Sequence, residues 1–336
     1  MVALAKICKN AVCSPKLPFW VFQSPIIAYV IFVGLTKRNL AFFTNVNPGI
    51  RTGGFVNDGK DEYLKGLAPE VIPKTVLMRR GATLAEVEAE LDKHGIGYPL
   101  IFKPNVGELG RRVRRIGDRD ALIDQMAHEK RDFLLQEFVD YPLEFGVLYY
   151  RDPSTGESGI SSVGVKDMPF VVGDGVRSVR QLSAAKYPGQ EFGLLADDAL
   201  DGVPDSGRAV QVGYIGHRGK GSVFRDAEDL NRPSLVAAFA AIARNIDGFC
   251  FGRFDVKARS IDDLLNGRDI KILEVNGVAS QPNHIYDQNI SLFGAYRALI
   301  AHWRLIARIS RENLRLGFQP MPLRALIREI QEKQNA

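Results

Sequence analysis

The feature that most constrains this chain is an alternation of charge on two short apolar segments. Phe251-Gly-Arg-Phe-Asp255 is followed, nineteen residues after Asp255, by Glu274-Val-Asn276. Both segments read as β-strands, in which side chains alternate faces with a period of two. Arg253 and Asp255 therefore share one face of the first strand, and Glu274 and Asn276 share one face of the second, Ile270–Asn276. The stretch from Lys257 to Asp269 is polar and contains Gly267, so it reads as a loop folding the two strands into a hairpin. Such a hairpin brings two carboxylates, an amide oxygen and a guanidinium to one place. Hard oxygen ligands of this kind suit Mg²⁺ (or Mn²⁺), which takes one or two carboxylates together with substrate phosphates. The adjacent arginine suits a phosphate or a carboxylate.

The rest of the composition sets bounds on that reading. A chain of 336 residues that is 46% hydrophobic can bury a core large enough for two or three subdomains. Cys8, Cys13 and Cys250 have no metal-ligand spacing and read as reduced thiols of a cytoplasmic protein, and no secretory signal is expected. The net charge is +5, and from Ile290 to the C-terminus eight Lys/Arg face three Glu, so this tail carries the whole excess. This argues against a nucleic-acid face spread over the whole molecule. Leu17–Leu35 is uncharged and flanked by Lys16 and by Lys37-Arg38. It is long enough to reach across a bilayer, but Gln23, Ser24 and Pro25 interrupt it, and an interfacial or protein-buried segment is the expectation. The C-terminal tail reads as a basic amphipathic helix. Peripheral contact with the inner face of a membrane, through residues 17–35 and 291–336, and packing on the protein's own domain are both left open.

Along the chain, Asn47-Pro-Gly-Ile-Arg-Thr-Gly-Gly54 is a run of turn formers that would expose backbone N–H groups. Thr83-Leu-Ala-Glu86 has the pattern of a capping box opening a helix to about His94. Strands are expected at Pro99–Lys103, Val113–Ile116 and Leu134–Val139, with Glu144–Arg151 pairing with Gly159–Lys166. Helices are expected at Asp118–Glu129 and from Pro233 to about Ile246. Without a regular βαβ alternation, the class is α+β with antiparallel sheets. Lys103 ends a strand and is followed by a loop with Gly107 and Gly110, whose amides could cradle phosphate oxygens. Leu134-Leu-Gln-Glu-Phe-Val139 leads to Glu144, seven residues after Glu137, at a bend between strands.

In their order, Lys60, the Lys103 strand with its glycine loop, the Glu137/Glu144 pair and the Arg-x-Asp…Glu-x-Asn set resemble the ATP-grasp superfamily, most closely its D-alanine–D-alanine ligase-like branch. The similarity runs from about Asn57 to His284. The resemblance implies an ATP-grasp fold in which two α+β subdomains clamp the nucleotide. A catalytic region over 57–290 divides at 133/134, after a divergent N-terminal segment (1–56) and before the helical tail (291–336). It implies that Lys60 and Lys103 bind ATP phosphates under a lid formed by Gly107–Gly110. Glu137 would face adenine, with Gln136 and the Phe138 and Val139 backbone beside it, and Glu144 would face ribose. Asp255, Glu274 and Asn276 would hold Mg²⁺, Arg253 would stabilise the transferring phosphoryl group, and Lys166 would add a γ-phosphate contact. The implied activity is an ATP- and Mg-dependent carboxylate–amine ligation through an acyl phosphate, acting on a small-molecule acid and amine. A phosphotransferase of a small molecule and a membrane-tethered, non-catalytic ATP-binding module are the alternatives. The segment after Asn276, Gly-Val-Ala-Ser-Gln-Pro-Asn-His284, departs from the pattern that cradles the second D-alanine, which puts that substrate in doubt. His217, Arg218 and Lys220, together with Asn283, His284 and the loop residue Arg177, are the candidates for substrate recognition.

Overall fold

The computed structural model describes residues 19–56, 59–106, 112–190, 192, 197–216 and 220–335. Gly107, Gly110, His217 and Arg218 lie outside the described residues. The chain divides into two units, each discontinuous in sequence. The first takes the chain up to Val71, Pro142–Val165 and Phe224 onward; the second takes Ile72–Tyr141 and Lys166–Val223.

The second unit carries a sheet of β1 (Thr75–Met78), β4 (Phe133–Glu137), β2 (Leu100–Pro104) and β3 (Arg114–Ile116), in that order and antiparallel throughout. Helix α3 (Leu84–His94) packs Val87 and Leu91 onto it, beside Leu122 of α4 (Arg119–His128). The start of α3 follows from its sequence: Thr83 Oγ1 accepts from the Glu86 amide while the Glu86 carboxylate accepts from the Thr83 amide, and Gly95 ends the helix at φ 60°. An antiparallel pair of β7 (Phe170–Val172) and β8 (Ala209–Gln211) packs against α5 (Val179–Lys186) through Val171, Val179, Leu182 and Val212. A short helix, α6 (Asp197–Asp201), completes the unit.

The first unit is built on a five-stranded sheet. Its order is β11 (Ile270–Asn276), β10 (Phe251–Ala258), β5 (Leu143–Arg151), β6 (Ser158–Asp167) and β9 (Val223–Asp226). The period of two sorts the faces. Phe254 and Tyr149 point to one side, where Phe239 of α7 (Pro233–Ala243) meets Phe254 edge-on at 5.4 Å. Phe251 and Leu148 point to the other and bury against Phe42, Val46 and Ile306 and Ile309 of α9 (Leu292–Arg315). Ser291 caps α9, and α10 (Leu323–Asn335) follows.

The expected hairpin forms, with a difference. β10 continues through Lys257 to Ala258, and the connection holds a helical turn, α8 (Ile261–Asn266), which Ser260 caps and Gly267 ends at φ 63°. Asp262 and Asn266, read as loop, lie on the exposed side of that turn.

The Asn47–Gly54 run does not serve to expose amides. The N–H groups of Gly53 and Gly54 close turns onto Ile50 and Arg51, and the carbonyls of Gly53 and Gly54 accept from Val278 and Ala279 just after β11. Gly54 sits at φ 84°, and a Cβ on it would stand 2.4 Å from the Gly277 Cα, so only glycine fits. Asn47, fully buried, donates to the Gly53 and Phe251 carbonyls and accepts from the Cys250 and Phe251 amides, which fixes the start of β10.

The apolar N-terminal run forms helix α1 (Phe19–Thr36) despite Pro25 in its interior. Proline removes the N–H that would reach the Val21 carbonyl, and the Ser24 hydroxyl donates to that carbonyl instead. Phe22 and Ile26 of α1 bury against Ala295 and Leu299 of α9. Among the described residues no helix is long and apolar enough to cross a membrane.

Candidate active site

In the first unit the sheet places the charged residues in register. Asp255 lies directly opposite Glu274 on one side and Gly146 on the other, and Gly146 lies opposite Gly164. One row across four strands thus reads Glu274–Asp255–Gly146–Gly164, all on one face. The next row brings Asn276 opposite Arg253. A bulge follows Asp255, after which Val256 opposes Ile272. Bulges of this kind re-aim side chains and occur beside functional sites.

Arg253 grips Asp255 with both arms of its guanidinium, Nε to Oδ1 at 2.8 Å and Nη2 to Oδ2 at 3.1 Å. The side chains are 19% and 10% exposed. Burial lowers the Arg253 pKa, but Asp255, Glu274 and Tyr286 together offset this and the net shift is upward. Asn276 Nδ2 stands 3.4 Å from Asp255 Oδ2. Lys60, the first residue of α2 (Lys60–Leu64), places Nζ 3.5 Å from Glu274 Oε1. Two carboxylates and an amide therefore face two cations, and the cluster is balanced in charge.

The donor set fits Mg²⁺ delivered with a polyphosphate. Asp255, Glu274 and Asn276 offer the hard oxygens, and because Arg253 and Lys60 already neutralise both carboxylates, the charge of an added ion would be left to be met by phosphate.

One feature of this face was not legible as a site residue. Lys257 was read as the start of a loop, yet it lies on β10 directly opposite Glu144, and both are buried. The Arg-x-Asp-x-Lys alternation from 253 to 257 was the available signal. Asn283, expected at a substrate site, is packed into the space that two glycines open. A Cβ on Gly146 would stand 2.1 Å from its Nδ2, and one on Gly164 2.7 Å from its Cβ. Glycines inside strands mark such close approaches. Asn283 is 2% exposed, and its Nδ2 has no hydrogen-bond partner among the described residues.

His284 hydrogen-bonds through Nδ1 with Ser162 Oγ at 2.7 Å and lies 3.7 Å from Glu228 Oε1. With Asp226 and Glu228 it forms a group close enough to hold a metal ion, but both carboxylates already accept from backbone, Glu228 from Val163 and Asp226 from Glu228. Asp226 thereby caps the turn after β9, and Glu228 ties that turn to β6. The Gln281 carbonyl accepts from Arg253 Nη1, and the Gln281 side chain makes a reciprocal amide pair with Gln23 of α1.

In the second unit, buried Lys103 donates to Gln136 Oε1 at 3.0 Å, and Gln136 in turn donates to Thr75. Glu137 accepts from the Lys74 amide. The Phe138 ring meets Tyr214 edge-on at 5.4 Å and lies 5.1 Å from the Arg115 guanidinium, a cation–π contact the sequence reading did not single out. Val139 and Lys166 are buried. Arg177 is held by Asp174 within its own turn, Nε to Oδ2 at 2.6 Å, which accounts for it without a substrate. Lys220 is exposed.

No protein-family model matches the sequence, and no curated protein matches it. Among solved structures, the chain is similar to the D-alanine–D-alanine ligase from Bacillus anthracis at 15% identity and TM-score 0.44, covering 77% of this chain and 67% of that one. It is similar to the VanG D-Ala:D-Ser ligase from Enterococcus faecalis at 14% identity and TM-score 0.41, covering 73% of this chain and 60% of that one. It is also similar to a bifunctional glutathione synthetase from Pasteurella multocida at 16% identity and TM-score 0.36, covering 73% of this chain and 35% of that one. The chain thus spans about three-fifths of the length of the D-Ala:D-Ser ligase and about a third of the glutathione synthetase. The fold is α+β with antiparallel sheets.

Proposed function

We propose that this chain is an ATP- and Mg²⁺-dependent ligase that joins a carboxylate to an amine through an acyl phosphate. The observation that carries the reading is the row of Asp255 against Glu274, flanked by Arg253 and Asn276 and closed by Lys60. In this reading Asp255, Glu274 and Asn276 hold the ion, and Mg²⁺ on ATP supplies charge neutralisation of the phosphates. Arg253, fixed by Asp255, presents its remaining N–H to the oxygens of the transferring group. Lys60, 3.5 Å from Glu274, would supply a cationic contact to phosphate beside it. Within the second unit, Lys103, whose amine Gln136 holds, and Lys166 are the residues assigned to phosphate, and Glu137, Phe138 and Val139 those assigned to the base. Within the first unit, Glu144 is assigned to ribose.

The substrate carboxylate takes the γ-phosphoryl and releases ADP; the amine then displaces phosphate from the acyl carbon and loses a proton. Little covalent chemistry falls to the protein, and the positioning of charge supplies the catalysis.

The test is ADP and phosphate release from Mg·ATP against a panel of carboxylates crossed with amines, with Glu274→Gln as the inactive control. Release that needs both an acid and an amine is the expected result. Release with one small molecule alone, yielding a stable phosphorylated product, would replace the ligase with a phosphotransferase. The balanced charge of the cluster makes a second demand. In calorimetry Mg²⁺ alone should bind weakly and bind tightly only with nucleotide; equally tight binding without nucleotide contradicts the assignment.

A further inference from the structure

We propose that Gln23 of α1 is a positioning residue for Arg253, acting through Gln281. The inference rests on the reading of Arg253 as the group that meets the transferring phosphoryl. α1 is an apolar helix interrupted at Gln23, Ser24 and Pro25. Ser24 is exposed, and its hydroxyl serves the carbonyl that Pro25 leaves without a donor. Gln23 has a different place. It is 5% exposed, beside Phe22 and Ile26 on the face that α1 turns to the core, and among the described residues it is the only buried polar side chain of α1. Burying an amide among apolar neighbours costs free energy unless it is hydrogen-bonded. A methionine would pack there with no such demand.

Gln23 meets the demand 258 residues away in sequence. Its Nε2 donates to Gln281 Oε1 at 3.1 Å, and Gln281 Nε2 donates back to Gln23 Oε1 at 3.0 Å. The Tyr286 hydroxyl donates to the same Gln281 Oε1 at 2.9 Å, so both lone pairs of that oxygen are used. α1 is fixed beside the pair, because the Tyr296 hydroxyl of α9 donates to the Phe22 carbonyl. The main chain of Gln281 carries the constraint into the site, where its carbonyl accepts from Arg253 Nη1 at 3.3 Å.

That third contact completes what Asp255 begins. Asp255 takes the edge of the guanidinium formed by Nε and Nη2, and a planar group held along one edge can still tilt about it. The Gln281 carbonyl holds the far corner. An arginine has five N–H donors; with three committed, one on each terminal nitrogen is left, in a fixed plane, for the oxygens of the transferring group. Gln23 touches none of the reacting atoms. It decides where the Gln281 carbonyl stands, and so how Arg253 is aimed.

Turnover of Mg·ATP with the acid–amine pair identified by the panel tests this. Gln23→Met keeps the length of the side chain and removes both hydrogen bonds to Gln281. It should lower kcat about tenfold, the worth of one hydrogen bond to a charged group, and leave KM for ATP within about twofold of wild type. Arg253→Lys keeps the charge beside Asp255 but has no Nη1; in that background Gln23→Met should lower kcat no further, since its effect passes through the arginine. Ile26→Ala loosens the same helix without touching Gln281, and should lower the melting temperature while leaving kcat unchanged. If Gln23→Met does not fold, Gln23→Met with Gln281→Met replaces both amides by apolar side chains, and the same fall in kcat is expected. Three outcomes overturn the inference: wild-type kcat without the amide pair, a further tenfold loss in the Arg253→Lys background, or an equal fall in kcat from Ile26→Ala, which would reduce the effect to helix packing. No turnover by wild type with any pair overturns the ligase reading and this inference with it, so the wild-type measurement separates the two failures.

Discussion

Asp255→Asn should destabilise the first unit as well as stop turnover, and the two effects separate. In the fold, Asp255 is the bidentate partner of an arginine whose side chain is only 19% exposed. Asparagine keeps the shape but removes the charge, leaving Arg253 beside Lys60 with Glu274 as the sole anion of the cluster. Removing one partner of a buried pair costs about 3–5 kcal/mol, because the remaining charge stays desolvated. The asparagine oxygen still accepts one bond, so the loss should fall near the lower end, about 3 kcal/mol. Against a typical domain stability of about 5–15 kcal/mol that is a large fraction. Urea unfolding followed by Trp303 fluorescence reads it, since Trp303 packs edge-on against Phe42 and Phe43 inside this unit and the other tryptophan, Trp20, is already exposed. The companion variant Arg253→Met should cost a similar amount. The double variant Arg253→Met/Asp255→Asn should return to within about 1 kcal/mol of wild type, since no uncompensated charge remains. Turnover should stay lost in the double variant, down by at least about 10²–10³ for the missing arginine alone. A single-variant loss under about 1 kcal/mol, or losses that simply add in the double variant, would refute the buried-pair argument. Wild-type turnover in Asp255→Asn would refute the site.

Two further outcomes follow from buried polar groups. His302 sits in the core of the first unit between Phe251 and Trp303, and burial pushes its pKa from 6.5 down to about 3. The unfolded chain therefore takes up a proton that the folded one refuses, and stability is full above pH 6.5 and is lost as the pH falls toward 3; between pH 7 and pH 5 the loss is about 2 kcal/mol. His302→Leu should remove that part of the pH dependence in urea melts, and an unchanged pH profile would sink the assignment. Asn47→Ala should cost about 3 kcal/mol or more, because two carbonyls and two amides lose a buried partner at once; a melting temperature equal to wild type would show that water replaces the side chain.

The sequence by itself determined the elements and the identity of the polar row. Thr83 and Glu86 closed a capping box because both partners lie within one turn. The period of two put Arg253 with Asp255 and Glu274 with Asn276 on shared faces, and a connection short enough for a hairpin then forced the pairs together. The proline in α1 and the polar stretch before β11 were read less well, because a single hydroxyl and a single cap rescued helical turns that local composition opposes.

What only the tertiary structure decided involves partners far apart along the chain. Glu144 meets Lys257 across β5 and β10, more than a hundred residues apart, so no local pattern announces the pair. Asn283 occupies a slot made by glycines on two other strands, and the glycines read as weak strand residues until the loop lies on them. Asn47 clamps the start of β10 from two hundred residues away, and a run that looked like an amide-rich anion loop became a packing joint against Gly277. Periodicity and capping act over one or two turns of chain and are written in neighbouring residues. Register between distant strands and the close approach of backbones are set by which surfaces the whole fold buries, and these the linear sequence does not contain in any one place.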